Sequence, residues 1–436
     1  MSKFVIILLV LSLTENIFPA FNVVAIVGMV LLYLVHHQAN VAGPDGAPRR
    51  ARRFTIYAYG YWVTSYLLTS APISNLFSYD FLRFDGALLI AYLPLLFFVD
   101  YSLGEDFIRH SVAVFLSVLS VVAIFGAAEF ADTLGVPLGL SALPDELQLV
   151  HFAPSPPQYI LHGLFRAHNA AGAVYALASC ISLALLLQER KTKVLSPRTF
   201  WFAAIFTGLV LSKSRTAYTA FVPASIFIFA TARKNLRQSL KIVALVVLPL
   251  SAFLLIQPEV SQRVEGITDT EDPNVFNRFI VFKDALDDFY MSPLLGIGFG
   301  RHNDDSLKFS GIPNVAYIAT AGEVINSDEH AHNSYLHFLA EGGIIGLTLM
   351  MSIWVSLYRW VKRSRLQFAE STFGRAFATG VQACVILELL ISFTEHSLGT
   401  GVSVLCTLTM VGLLQNLVVA EGRVRVLIPA RLQPAT

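Results

Sequence analysis

The stretch NAAGAVYALASCISLALLLQ, residues 169–188, contains no charged residue and is the clearest indication of the fold of this chain. Its length matches the roughly 20 residues that an α-helix needs to cross the hydrocarbon core of a bilayer. Similar apolar runs recur along the 436 residues, of which 55% are hydrophobic and 14% are charged. Soluble domains have about a quarter of their residues charged. The sequence therefore predicts an all-α membrane protein.

The apolar runs predict a polytopic bundle of about 12 transmembrane helices, which forms a single transmembrane domain over residues 1–436. The first run lacks the small-residue cleavage site of a secretory signal, so we expect it to remain as a helix. Between the ninth and tenth spans, residues 257–333 predict a large loop subdomain that contains short helices. The predicted spans lie near residues 4–15, 17–36, 54–75, 84–100, 111–131, 169–188, 198–213, 216–232, 242–256, 334–358, 372–394 and 399–420.

Basic residues are concentrated on one side of this predicted bundle. With both termini on the same side, 22 of the 31 Lys and Arg residues fall there. The positive-inside rule identifies that side as cytoplasmic, so we expect cytoplasmic termini and an outer location for residues 257–333. The three cysteines all lie inside apolar runs, which argues against a disulfide or a thiolate metal site.

Two arginines occupy unfavourable positions on the outer side. Arg215 follows a short predicted span, so we expect it slightly below the outer surface, where an arginine is costly unless it faces water or an anion. Arg278 lies on the apolar face of a helix predicted to open at Pro273. Each could hold a phosphate through its planar guanidinium. The alternatives are an Arg215 that snorkels to the interface and an Arg278 that turns back to Asp272 or Glu271.

His332 lies where the long outer segment enters a predicted transmembrane helix. The partial positive charge of a helix N-terminus disfavours imidazolium, and a neutral imidazole can act as a general base. In the alternative interpretation, Asn333 or Ser334 caps the helix and His332 is a surface residue. His330 and His337 are weaker candidates, because His-x-His spacing alone does not supply the ligands of a zinc site.

The acidic pairs of the outer segment give no convincing metal site. We interpret Asp287 and Asp288 as a solvated helix face, and arginines can neutralise a phosphate without a metal. We therefore expect no metal and no cofactor. The pairs are Asp269 with Glu271, Asp287 with Asp288, and Asp304 with Asp305.

Several motifs together resemble those of the O-antigen ligase and polymerase superfamily. Three segments are similar to the signature block of that superfamily: PLLGIGFG at 293–300, HNSYL at 332–336 and LAEGGIIGL at 339–347. Upstream, GLFRAHNA at 163–170 and SRTA at 214–217 resemble two further motifs of the family. His168 departs from the family pattern, which often has proline there.

The resemblance implies a glycosyltransferase with a periplasmic active site in the inner membrane of a Gram-negative cell. It implies transfer of O-antigen glycan from undecaprenyl diphosphate to a sugar hydroxyl of lipid A-core, among membrane lipids and without nucleic acid. Because arginines can neutralise the diphosphate and a single base would direct the attack, we expect the reaction to need no metal and to invert the anomeric configuration. The family's essential histidine corresponds to His332, and its essential arginines most plausibly to Arg215 and Arg278. Further candidates are Arg166 and Arg301 as phosphate contacts and, secondarily, Asn333, His330, His168 and Asn169.

Other functions share parts of this pattern. An O-antigen polymerase uses the same donor chemistry with another acceptor, and no residue decides between it and a ligase. Protein-directed enzymes of the superfamily generally carry an extra C-terminal region, whereas about 16 residues follow the last predicted span here. A secondary transporter would predict two similar halves and charges near the bilayer midplane, which the sequence does not show.

Overall fold

The computed structural model describes residues 49–68, 91–92, 95, 104–140, 148–154, 157–165, 167–187, 196–231, 244, 273–302, 317–318, 324–325, 331–370, 372–400 and 402–427. These residues are mostly helical, as the composition predicts. The helices are α1 (Arg49–Leu68), α2 (Glu105–Thr133), α3 (His168–Leu187), α4 (Pro197–Leu211), α5 (Arg215–Thr231), α6 (Pro273–Met291), α7 (Ser334–Gln367), α8 (Phe373–Ile391), α9 (Ser397–Thr400) and α10 (Val402–Leu427). Two antiparallel hairpins join them: β1 (Val150–Pro154) with β2 (Pro157–Leu161), and β3 (Tyr317–Ile318) with β4 (Val324–Ile325).

Five of the described helices are long and apolar enough to cross a membrane: α2, α3, α7, α8 and α10 up to Glu421. They coincide with five of the predicted spans. The shorter α4 and α5 coincide with two more, and α1 covers most of another. The predicted spans at 4–15, 17–36, 242–256 and most of 84–100 lie outside the described residues, so the total of about 12 stays a prediction.

Helix α3 lies at the centre of the described bundle. All its side chains from Ala171 to Leu187 are buried, and it contacts α4, α5, α8 and α10. Many of these side chains are small, which allows helices to approach closely where lipid provides no hydrophobic drive for association. The N-terminus of α3, with His168 and Asn169, is therefore held beside the start of α5 and the end of α8.

Helix α7 is broken at Gly343, whose φ of 59° and ψ of −163° are not helical. The backbone groups on either side of the break bind the turn that follows α6. A Cβ at position 343 would lie 2.4 Å from the carbonyl carbon of Leu294, so the approach requires glycine. The hydrogen bonds run from Ile297 N to Ala340 O (2.9 Å), from Gly298 N to Glu341 O (3.1 Å) and from Ile344 N to Pro293 O (2.9 Å). The motifs at 293–300 and 339–347 thus form one structural unit.

Candidate active site

His332 lies immediately before α7, and 20% of its side chain is exposed. Its backbone adopts the left-handed region, with φ of 42°, which is uncommon outside glycine and is found at functional sites. Its Nδ1 lies 3.8 Å from Oε2 of Glu395, the distance of an electrostatic contact rather than of a hydrogen bond. His332 is therefore a constrained imidazole beside a carboxylate.

Asn333 and Ser334 join the start of α7 to the turn that follows α8. The side-chain oxygen of Asn333 caps α7 by accepting two backbone hydrogen bonds, at 2.9 and 3.1 Å. Its Nδ2 donates to the carbonyl of Phe393 at 3.0 Å, and Oγ of Ser334 donates to the carbonyl of Glu395 at 3.1 Å. Asn333 thus caps the helix, and both residues fix the position of Glu395 relative to His332.

Glu395 also connects His332 to two other parts of the chain. Its Oε1 accepts a hydrogen bond from Nδ2 of Asn169 at 2.8 Å. Oδ1 of Asn169 in turn accepts a hydrogen bond from Oγ of Ser214 at 3.0 Å. We call Ser214, Asn169, Glu395 and His332 the polar chain. Because Glu395 is only 13% exposed, this arrangement holds one carboxylate oxygen towards Asn169 and the other towards His332.

Arg215 begins α5 directly after a member of the polar chain. On its other side, Oγ1 of Thr216 accepts a hydrogen bond from Oγ1 of Thr394 at 3.1 Å, next to Glu395. The side chain of Arg215 is exposed. An accessible guanidinium at a helix N-terminus is well placed to bind an anion. The hydrogen bonds of Ser214 and Thr216 therefore hold the start of α5, with the accessible guanidinium of Arg215, near the turn that contains Glu395.

Arg278 lies in the part of α6 for which only the backbone is described. Further along α6, Val281 and Ala285 are buried in one apolar cluster with Ala331. Residue 278 precedes them by three and by seven positions, so it lies on the stripe that packs against α7 and not in the middle of the phenylalanine face, where the sequence pattern placed it. Position 278 is therefore one helical turn from Val281, which packs in the same cluster as Ala331, the residue before His332.

The other predicted site residues are less closely connected to the polar chain. Arg301 is half-buried and follows the glycine-rich turn that docks on α7. His168 begins α3, one residue before Asn169. Outside the described residues lie Arg166, His330, Asp269, Glu271, Asp304 and Asp305.

A second polar group, which we call the buried histidine cluster, consists of Asp288, His302, His337, Glu341 and His396. His302 Nδ1 lies 2.6 Å from Asp288 Oδ2, and its backbone N–H donates to Glu341 Oε1 at 3.3 Å. His337 Nε2 lies 3.3 Å from Glu341 Oε2, and its ring centroid is 3.8 Å from that of His396. The prediction of a solvated Asp288 is wrong: it is 8% exposed, because this face of α6 docks against α7.

Three further histidines lie together between hairpin β1–β2 and the start of α3. The ring centroid of His162 is 4.6 Å from that of His151 and 5.9 Å from that of His168. Burial lowers the pKa of His162 to about 4, with smaller contributions from His151 and His168. His162 is therefore neutral at pH 7, and the hairpin packs here without a buried cation.

Glu395, the hydroxyl of Ser214 and most of the buried histidine cluster were not predicted as functional groups from the sequence. No local signal marked Glu395, because a carboxylate in a connection between two apolar runs is common. Among the described residues, no group of three or more His, Cys, Asp or Glu side chains could hold a metal ion. The expected absence of a metal still stands as a prediction, since four of the six members of the acidic pairs lie outside the described residues.

Residues 199–351 match a family model described as O-Antigen ligase. The match runs from α4 into α7 and includes Arg215, Arg278 and His332, which confirms the resemblance seen in the motifs. Among curated proteins, none matches this chain. Asn169, which the motif at 163–170 had already made a candidate, and Glu395 both lie outside the matched region, and the structure connects each of them to the site.

Proposed function

We propose that this chain, whose residues 199–351 match the O-Antigen ligase family model, transfers O-antigen glycan from undecaprenyl diphosphate to a sugar hydroxyl of lipid A-core. The observation that supports this best is the polar chain, which connects His332 to the segment that carries Arg215. We place the reaction at the periplasmic face of the inner membrane, with both termini in the cytoplasm.

His332 acts as the general base in this proposal. An imidazole nitrogen takes the proton of the acceptor hydroxyl while its oxygen attacks the anomeric carbon. The bond from that carbon to the diphosphate oxygen breaks, and undecaprenyl diphosphate leaves with the electron pair. Since Nδ1 faces Glu395, Nε2 is the nitrogen that accepts the proton, and the carboxylate stabilises the imidazolium that forms. Direct attack inverts the anomeric configuration.

The arginines stabilise the leaving diphosphate. A diphosphate needs charge stabilisation rather than protonation, and fixed guanidinium groups can supply it without a divalent cation. Arg215 is accessible at the start of α5, where the helix dipole adds to its charge. Arg278 lies on the α7-facing stripe of α6, and Arg166 and Arg301 are further candidate contacts. In this proposal His332 acts on the acceptor hydroxyl, and the arginines bind the diphosphate of the donor.

The experiment combines the purified protein with a synthetic undecaprenyl-diphosphate glycan and lipopolysaccharide that lacks O-antigen. A ligase attaches glycan to the lipopolysaccharide, which appears as higher bands on a gel. Elongation of the lipid-linked glycan in the absence of lipopolysaccharide would instead identify an O-antigen polymerase. Movement of the donor across a proteoliposome membrane without any transfer would overturn the proposal in favour of a transporter.

A further inference from the structure

The buried histidine cluster lies between α6 and α7, and four of its members belong to these helices or to the turn that joins α6 to the break in α7. Asp288 is on α6, His302 ends the turn, and His337 and Glu341 are on α7. Each is 8% exposed or less. The fifth member, His396, directly follows Glu395 in the sequence, so the cluster adjoins the polar chain at the turn after α8.

The cluster holds α6 in one position, because a shift of the helix would leave buried carboxylates without their partners. A carboxylate buried without a partner costs several kcal/mol, whereas Asp288 has His302 at 2.6 Å. Glu341 is shared between the backbone N–H of His302 and the ring of His337, each at 3.3 Å. A shift of α6 along α7 would break these contacts together.

The neighbouring turn adds a second restraint. The hydroxyl of Tyr61 in α1 lies 2.7 Å from the carbonyl oxygen of Leu295 and 2.8 Å from that of Gly342. Tyr61 thus contacts the docked turn and the broken part of α7 at the same point. Helix α6 is attached at its C-terminal end to a rigid unit formed by three segments.

This attachment determines where the N-terminal half of α6 lies. Ala285 and Val281 pack against Ala331 along the same stripe that holds Asp288, and position 278 continues it. We propose that the buried histidine cluster sets the position of Arg278 relative to His332, so that Asp288 is a positioning residue for binding of the donor diphosphate. This inference rests on the proposed function, in which Arg278 contacts that diphosphate.

The test is a double-mutant cycle on the affinity of the full-length protein, in lipid nanodiscs, for undecaprenyl diphosphate. Asp288→Ala should weaken binding by about tenfold, within the range that coupled neighbouring residues show. Asp288→Asn, which keeps an oxygen to accept from His302, should restore most of the affinity. Asp287→Ala is the matched control, because Asp287 is 46% exposed and pairs with Lys283 at the surface of α6.

Coupling distinguishes positioning from general destabilisation. In an Arg278→Ala background, Asp288→Ala should weaken binding no further, whereas in an Arg215→Ala background its effect should multiply in full. Equal effects in both backgrounds, or unchanged affinity in Asp288→Ala, would overturn the inference. If Asp288→Ala does not fold, Glu341→Gln takes its place in the cycle. If Arg278→Ala alone binds normally, the proposed donor site is wrong at Arg278 and the inference fails with it, an outcome distinct from loss of coupling.

Discussion

Replacing Glu395 with glutamine removes one negative charge from the polar chain and leaves its shape almost unchanged. The amide oxygen can still accept the hydrogen bond from Asn169, so the turn after α8 should keep its position. Oε2 of Glu395 lies 3.8 Å from Nδ1 of His332. At an effective dielectric constant of about 20, two unit charges at that distance interact by about 4 kcal/mol.

Partial exposure of both side chains reduces this interaction to about 2 kcal/mol, which corresponds to about 30-fold in rate. We expect Glu395→Gln to lower kcat by about that factor, because the imidazolium that forms in the transition state loses its counter-charge. Affinity for undecaprenyl diphosphate should not change. Transfer of a fluorescent lipid-linked glycan, followed in initial-rate assays, measures kcat. A rate within about twofold of the wild type would show that the carboxylate does not assist the histidine.

Three further outcomes are expected. Arg215→Lys and Arg278→Lys should each lose about tenfold in donor affinity, because lysine lacks the planar fork that holds two phosphate oxygens; wild-type affinity in a calorimetric titration would remove bidentate binding at that position. EDTA should leave the rate of glycan transfer intact, and recovery of a lost rate by magnesium or manganese would reject the metal-independent account. The pKa of His162 is lowered from 6.5 to about 4 in the folded protein. As the pH falls from 6.5 to about 4, the unfolded chain therefore takes up a proton that the folded protein does not, and the stability decreases. The melting temperature of His162→Gln should depend less on pH in this range, and a pH dependence equal to that of the wild type would contradict this.

The apolar runs were sufficient to predict the described transmembrane helices, because a bilayer requires a long uncharged helix wherever the chain crosses it. The start of α6 at Pro273 was also predictable from the preference of proline for the first helical turn. Hairpin β1–β2 was not predicted. Its strands have five residues each, and prolines occur in both, so no alternating pattern distinguishes them from a loop.

The candidate site was predictable only where chemistry and sequence motif coincide, as at His332 and Arg215. The role proposed for Glu395 rests on contacts with Asn169 and His332, which lie far from it in the sequence, and no local pattern encodes those contacts. The error at Asp288 has a similar origin. A helical wheel favours the phenylalanine side of α6, whereas close packing on α7 selects the stripe with Ala285, where a small side chain permits approach.

The role of His332 as general base is tested most directly by the rate of glycan transfer in His332→Asn. Asparagine is well tolerated in the left-handed conformation that residue 332 adopts, so the backbone should keep its φ near 42° while the base is lost. His110→Asn, at an exposed position on α2, is the matched control. We expect kcat to fall by about 10² to 10⁴ with donor affinity and melting temperature retained. A folded His332→Asn protein that transfers glycan at close to the wild-type rate would contradict the assignment.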